Sequence, residues 1–192
     1  FNVDYYDFAK QQAVYFRPAP GTLGNAGATS APPPGIYDTF ENLDPIVDEM
    51  RLIKDETELA TMRRAARISA AAHSRAMRAS RPGTREYEIE AEITHEFIRN
   101  GSRGHAYTPI IASGYNACVL HYITNDQVCN DGDVILMDFG CEYGGYASDL
   151  TRCVPVNGHF TQRQKDVYNA VLRVQRASIA MLRPGTLLAD YH

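Results

Sequence analysis

The spacing of apolar and polar positions changes character along the chain. Over Phe1–Arg17 aromatic residues are scattered without a period, and Pro18–Gly35 is a run of Pro, Gly, Ala, Ser and Thr that includes Pro32-Pro33-Pro34. Such a run forms neither helix nor central strand and has little to bury. It reads as a linker or long loop. Regularity begins near Met50. Asp55-Glu56-Thr57-Glu58 has the form of a helix start, with an Asp N-cap, a Glu three residues on and acids at the positive end of the dipole. A long Ala- and Arg-rich helix is expected from there to about Ser80, stopped by Arg81-Pro82-Gly83. Thr84 is the expected cap of a second helix with Ile89, Ile93 and Phe97 on one face, and Gly101 is its expected C-cap.

Beyond Gly101 the period shortens. Tyr107–Ala112 and Val134–Asp138 are apolar runs of strand length, the second preceded by the turn Asn130-Asp131-Gly132-Asp133. A further strand is predicted over Tyr146–Val154. Thr161-Gln162-Arg163-Gln164 is a capping box opening another long helix, with Val167, Val171 and Val174 on one face. Along the chain, runs of helix thus give way to runs of strand. The sequence Arg81-Pro82-Gly83-Thr84 recurs as Arg183-Pro184-Gly185-Thr186, each time after a long helix. The shared context predicts an internal repeat whose second copy is cut off just after that motif. The division expected from the pattern is an irregular stretch with its Pro/Gly-rich linker over residues 1–45 and the first part of the main domain over residues 46–192.

Composition narrows the function classes. A formal net charge of -4 gives no footing for nucleic acid or an anionic membrane as partner, and no apolar run approaches the ~20 residues of a membrane helix. Cys118, Cys129, Cys141 and Cys153 contain no C-x-x-C pair, so they do not have the spacing of a structural zinc site. They read as free thiols in a reducing, cytoplasmic compartment.

The chemistry concentrates in Val134-Ile135-Leu136-Met137-Asp138-Phe139-Gly140 and, after Tyr143-Gly144-Gly145-Tyr146, in Ser148-Asp149-Leu150-Thr151-Arg152. Asp138 ends an apolar strand, a costly place for a charge without a partner or a metal. If Tyr143 and Gly144 form a two-residue turn, Glu142 opposes Gly145 and Asp138 opposes Asp149, with Cβ atoms ~5 Å apart on one face. Two carboxylates so close raise each other's pKa unless a cation intervenes. Two divalent metals sharing a carboxylate and a water would resolve the repulsion, lower that water's pKa and polarise a carbonyl. The bland alternative is that both are turn-flanking acids bonded to backbone amides. His121 alone reads as a hydrogen-bonded strand histidine. His95-Glu96 lacks the second His of a zincin helix, and the arginines from Arg63 to Arg78 read as a solvated helix face.

From about Glu49 onward the chain resembles the bacterial-type Xaa-Pro aminopeptidases (aminopeptidase P) of the pita-bread metallopeptidases. The resemblance is carried in order by Glu49-Met50-Arg51-Leu52-Ile53-Lys54, Ala112-Ser113-Gly114-Tyr115-Asn116-Ala117-Cys118, Leu120-His121-Tyr122 and Asp131-Gly132-Asp133-Val134. It is most specific in Met137-Asp138-Phe139-Gly140-Cys141-Glu142-Tyr143, Ser148-Asp149-Leu150-Thr151-Arg152 and Pro155-Val156-Asn157-Gly158-His159-Phe160-Thr161. It implies an α+β fold, the first half of a pita-bread (creatinase/aminopeptidase-like) domain with an antiparallel sheet and helices packed on one face. It implies residues 1–45 as a remnant of an N-terminal domain plus the Pro/Gly-rich linker and residues 46–192 as the first part of the catalytic domain. It also implies a site for two divalent metal ions, usually Mn(2+). That site releases the N-terminal residue from peptides with proline in second position. Asp138 and Asp149 fall on two metal-binding positions, and His121 falls on the catalytic-site histidine near the scissile carbonyl. The remaining ligands, a His and two Glu, and the general base are expected downstream. Proline-containing peptides are thus the expected partners, and a homo-oligomer of the full-length protein is compatible with the resemblance. Prolidase-type dipeptidase activity is the rival within the enzyme class. A non-catalytic pita-bread module that binds peptides or proteins is the rival outside it. Two ligands of five predict that this stretch of chain is inactive by itself.

Overall fold

The computed structural model describes residues 14–18 and 37–192, with side chains from Asn42 onward. The Pro/Gly run expected as a linker therefore lies, apart from Pro18, outside the described residues. The chain divides into two compact units, Phe1–Glu56 and Thr57–His192. In the first, strands β1 (Val14–Pro18) and β2 (Tyr37–Asn42) pair antiparallel with Phe16 opposite Phe40, and helix α1 (Asp44–Leu52) follows. The Asn42 side chain accepts the Asp44 amide at 2.9 Å as that helix begins.

The second unit is built on two long helices and a three-stranded sheet. Helix α2 (Glu56–Ala79) starts directly after Asp55 and helix α3 is Glu86–Arg99. Thr84 does not cap α3. Arg85 is the N-cap, and its amide donates to the Glu88 carboxylate at 2.7 Å, the reciprocal half of a capping box. Thr84 instead uses its carbonyl to accept the Cys129 amide at 2.9 Å. The two-residue strand β3 (Gly104–His105) and β4 (Ile110–Ser113) follow. The strand expected from Tyr107 begins three residues late, because Pro109 has no N–H for the ladder and Tyr107 lies in a bend. A 3-10 turn (Gly114–Cys118) leads into a loop, and β5 is Val134–Phe139.

The strand expected over Tyr146–Val154 is two, β7 (Tyr146–Ala147) and β8 (Leu150–Pro155), facing β6 (Cys141–Tyr143) and β5 respectively. The sheet orders are β3-β6-β7 and β4-β5-β8. The interruption sits at Gly140, where a Cβ would come within 1.6 Å of the Ser148 carbonyl oxygen. The turn joining β6 to β7 is Gly144-Gly145, both at positive φ (61° and 83°), rather than the expected Tyr143-Gly144. A two-residue hairpin turn of that hand needs both central residues left-handed, which Gly-Gly supplies without cost and Tyr does not.

Strand β5 alternates in burial, with Ile135, Met137 and Phe139 inside. They join one apolar cluster with Ala65, Ile68, Ala72 and Ala76 of α2 and Ile89, Ile93 and Phe97 of α3. Both helices thus cover one sheet face, as the period of their apolar residues predicts. The opposite face carries Val134, Thr151 and Cys153 along one wall of a groove of 590 Å³ whose other wall is helix α4 (Gln162–Met181). Thr161 caps α4 in the expected capping box with Gln164. The valine face of α4 is open among the described residues: Val167, Val171 and Val174 are 47%, 62% and 66% exposed.

The two copies of Arg-Pro-Gly-Thr adopt one geometry. Each begins two residues after a helix ends, each closes a turn by a Thr amide to Arg carbonyl bond (3.1 Å and 3.0 Å), and the glycines have φ of 92° and 91°. Pro then a left-handed Gly is the pattern of a type II turn. Each copy is followed by one extended residue, Arg85 or Leu187, and a new helix, α3 or the short α5 (Leu188–Tyr191).

Candidate metal centre

Asp138 is held by position. It lies on the central strand β5, with Ile110 opposite on one side and Thr151 on the other. Burial of its neighbours Met137 and Phe139 against the helices turns Asp138 to the other face. Asp149 lies in the short gap between β7 and β8, beside the pinch at Gly140. Direct opposition of the two aspartates, expected from a Tyr143-Gly144 turn, does not occur. The shift of the turn by one residue slides the register by two, so Thr151 faces Asp138 and Asp149 is displaced along the same face.

The carboxylates nevertheless converge, because both approach the hydroxyl of Tyr107, from the bend between β3 and β4. Tyr107 Oη lies 2.7 Å from Asp138 Oδ1 and 3.0 Å from Asp149 Oδ1. Burial, then the bond to Asp138 and the charges of both acids, push the Tyr107 pKa well above its ordinary value. The phenol is thus a fixed proton donor, and it has one proton for two acceptors. Among the described residues neither carboxylate has a Lys, Arg or His ion-pair partner. The expectation of turn-flanking acids bonded to backbone amides is not what the geometry shows: the shared partner is a side-chain hydroxyl. Two hard oxygen donors one proton short of satisfaction fit a divalent cation such as Mn²⁺ or Mg²⁺ in chemistry. Among the described residues no group of three or more His, Cys, Asp and Glu is placed to complete a metal shell.

Tyr107 was not legible as a site residue, since nothing in an apolar segment marks one tyrosine as the bridge between two distant acids. His121 is not a strand residue. It stands exposed on a turn after the 3-10 segment, in the left-handed region at φ 52°, and none of the described hydrogen bonds involves its ring. The structure does not bring it into contact with the aspartate pair. His95 is exposed on α3, and His73 is buried against Phe139, its ring stacked at 3.8 Å. Of the helix arginines, Arg63, Arg64, Arg67 and Arg78 are exposed and Arg75 pairs with Glu92 at 2.5 Å, a solvated face as expected. All four cysteines are free.

Comparison with known proteins places this geometry. Residues 60–192 match the profile of metallopeptidase family M24. The chain is 51% identical over 146 residues to the Xaa-Pro aminopeptidase of Escherichia coli K12, covering 76% of this chain and 33% of that protein. It is 49% identical to the Xaa-Pro aminopeptidase of Haemophilus influenzae (73% and 33% covered) and 43% identical to the Xaa-Pro dipeptidase of Mus musculus (78% and 31% covered). Among solved structures it is similar to E. coli aminopeptidase P in complex with substrate, at TM-score 0.73 and 51% identity over 75% of this chain and 33% of that one. Proline aminopeptidase P II from Yersinia pestis matches with the same score and identity over 74% and 33%. The chain thus spans about a third of the length of the relatives it matches. Its α+β arrangement is the first part of the pita-bread domain of those structures. A profile matched over residues 60–192 and half of the aligned positions identical to a curated member establish that the chain belongs to metallopeptidase family M24.

Proposed function

We propose that the complete gene product is a metal-dependent Xaa-Pro aminopeptidase, releasing the N-terminal residue of peptides with proline in second position. The observation that carries this reading is the convergence of Asp138 and Asp149 on a single phenolic proton, in a chain half identical to proteins named for that activity. Asp138 and Asp149 are two of the ligands for a pair of divalent ions, manganese being the expected metal and one that hard carboxylate oxygens suit. When bound, such a pair supplies Lewis acidity for a peptide carbonyl and an acidified water. Tyr107 keeps its proton and holds the Asp138 carboxylate in place by donating to it. His121, exposed on its turn, donates to the carbonyl oxygen of the substrate as negative charge grows there. The remaining ligands come from outside the described residues, so residues 46–192 act as the first part of a catalytic domain and are inert alone. Four free thiols support a reducing, cytoplasmic setting.

The test is calorimetric titration of Mn²⁺ into the 192-residue chain and into the complete gene product, each also as Asp138→Ala. Tight binding by the complete product, lost in Asp138→Ala and weak in the 192-residue chain, is expected. Binding by the complete product that Asp138→Ala leaves unchanged, or no binding at all, would make the aspartates structural and move the reading to a non-catalytic module. Similarity to the mouse dipeptidase motivates a second assay. Xaa-Pro dipeptides cleaved in preference to longer Xaa-Pro peptides would shift the reading to a prolidase.

A further inference from the structure

Glu86 is the first residue of α3 and is completely buried, and the site described above makes no use of it. Buried carboxylates are costly unless fully bonded, and this one is. Glu86 Oε1 accepts from the Ser113 amide at 2.8 Å and from Asn116 Nδ2 at 3.4 Å. Oε2 accepts from the Tyr122 hydroxyl at 2.7 Å and from the Gln127 amide at 3.1 Å. The Glu86 amide in turn donates to the Gln127 carbonyl at 3.0 Å. All four donors belong to the segment from the end of β4 to residue 127, the segment in which His121 stands.

A second anchor lies one turn further along the same helix. Asn125, 3% exposed and left-handed at φ 50°, accepts from the Ile111 amide at 2.9 Å. It donates to Glu90 Oε2 and to the Pro109 carbonyl, both at 2.9 Å. The loop is therefore fastened at 113, 116, 122, 125 and 127. Between the fastened points Val119, Leu120 and His121 face solvent, Leu120 at 86% exposure. The Tyr122 pin adjoins His121 directly. A non-glycine residue at positive φ persists where its surroundings over-determine it, and here the surroundings that do so are side chains of α3.

We propose that Glu86 is a positioning residue for the hydrolytic reaction: through Tyr122, Asn116 and the amides of Ser113 and Gln127 it fixes the loop that presents His121 to substrate. The proposal rests on the reading of His121 given above. Glu86→Gln replaces one acceptor oxygen by an NH₂ group. The Tyr122 hydroxyl can rotate to accept, but the Gln127 N–H is then left facing a donor. Tyr122→Phe removes one donor and strands none, so it tests the same link where Glu86→Gln fails to fold.

The experiment compares wild type, Glu86→Gln, Tyr122→Phe, His121→Ala and the two double variants of His121→Ala, in the Mn²⁺-loaded complete gene product. The readouts are kcat and KM on an Xaa-Pro peptide, and hydrogen exchange by mass spectrometry. Glu86→Gln is expected to lower kcat on the order of 10–100-fold with KM moved by less than about twofold. Exchange should accelerate within residues 114–127 and not in the helices. Neither Glu86→Gln nor Tyr122→Phe should add to the loss in His121→Ala, because both act through that ring. Losses that multiply in the doubles, or exchange over 114–127 unchanged in both single variants, would overturn the proposal. If wild type does not cleave Xaa-Pro peptides, the functional reading fails by itself, and the exchange arm still decides whether Glu86 holds this loop. Acceleration confined to 114–127 upholds it, and no change or uniform change sinks it.

Discussion

Left-handed backbone is disfavoured for a residue with a Cβ, by roughly 1–2 kcal/mol, and His121 adopts it at φ 52° on an exposed turn. A glycine there would relieve the strain and remove the imidazole together. His121→Gly is therefore expected to be at least as stable as His121→Ala in chemical denaturation, while both lose peptide cleavage. An alanine variant clearly more stable than the glycine variant would show that the turn is not strained. Gly140 is the opposite case. A Cβ there would meet the Ser148 oxygen at 1.6 Å, backbone against backbone, so Gly140→Ala should destabilise by about 3 kcal/mol or more. A midpoint of unfolding within error of wild type would contradict the pinch. At this scale Asp138 was readable, because a charge closing an apolar strand demands a partner, whereas Asp149 was reached through a direct pairing with Asp138 that Thr151 takes instead. Tyr107 and Glu86 were not: each acts on residues 20 or more positions away, a distance at which local pattern carries no signal.

Helices α3 and α4 have apolar faces of similar period, yet among the described residues only that of α3 is buried. Ile93 is fully buried against the sheet, so Ile93→Ala should cost about 2–5 kcal/mol. Val171 is 62% exposed, and Val171→Ser should leave stability within about 0.5 kcal/mol in this 192-residue chain. Parallel urea titrations of the two variants check both statements, and a comparable loss in Val171→Ser would mean that the α4 face is covered after all. Periodicity foretold both faces but could not say which has a partner, since the pattern records the face and not its neighbour. The hairpin shows a related limit. The strands and the turn segment were predicted, but a choice between Tyr143-Gly144 and Gly144-Gly145 rests on which residues tolerate two left-handed conformations in a row. The glycine pair wins, and with it the pairing of Asp138 changes.

On the scale of the second unit, one histidine, His73, is buried in the core between the helices and the sheet, and another, His105, is half-buried at its edge against Phe97. Burial pushes the pKa of His73 and of His105 below the ordinary 6.5. Above pH 6.5 both are neutral whether the chain is folded or not, and the contribution of burial is fully present. As pH falls below 6.5 the unfolded chain takes up protons that the native core refuses, and stability is lost toward the lower, native pKa. The urea midpoint is thus expected to fall as the pH drops below about 6.5, and His73→Gln should flatten that slope. An unchanged slope in the variant would assign the acid sensitivity elsewhere. The duplicated turn was legible as a motif, and its two copies adopt the same turn geometry between a long helix and a new one. Another feature of the molecule bears on its descent. Asp138 and Asp149 sit on the two arms of one hairpin closed by Gly144-Gly145, with 22 residues between Val134 and Pro155 inclusive. They form a heritable cassette: a recombination event with breakpoints outside that hairpin transfers or deletes both carboxylates together, and separating them takes a change inside its 22 residues.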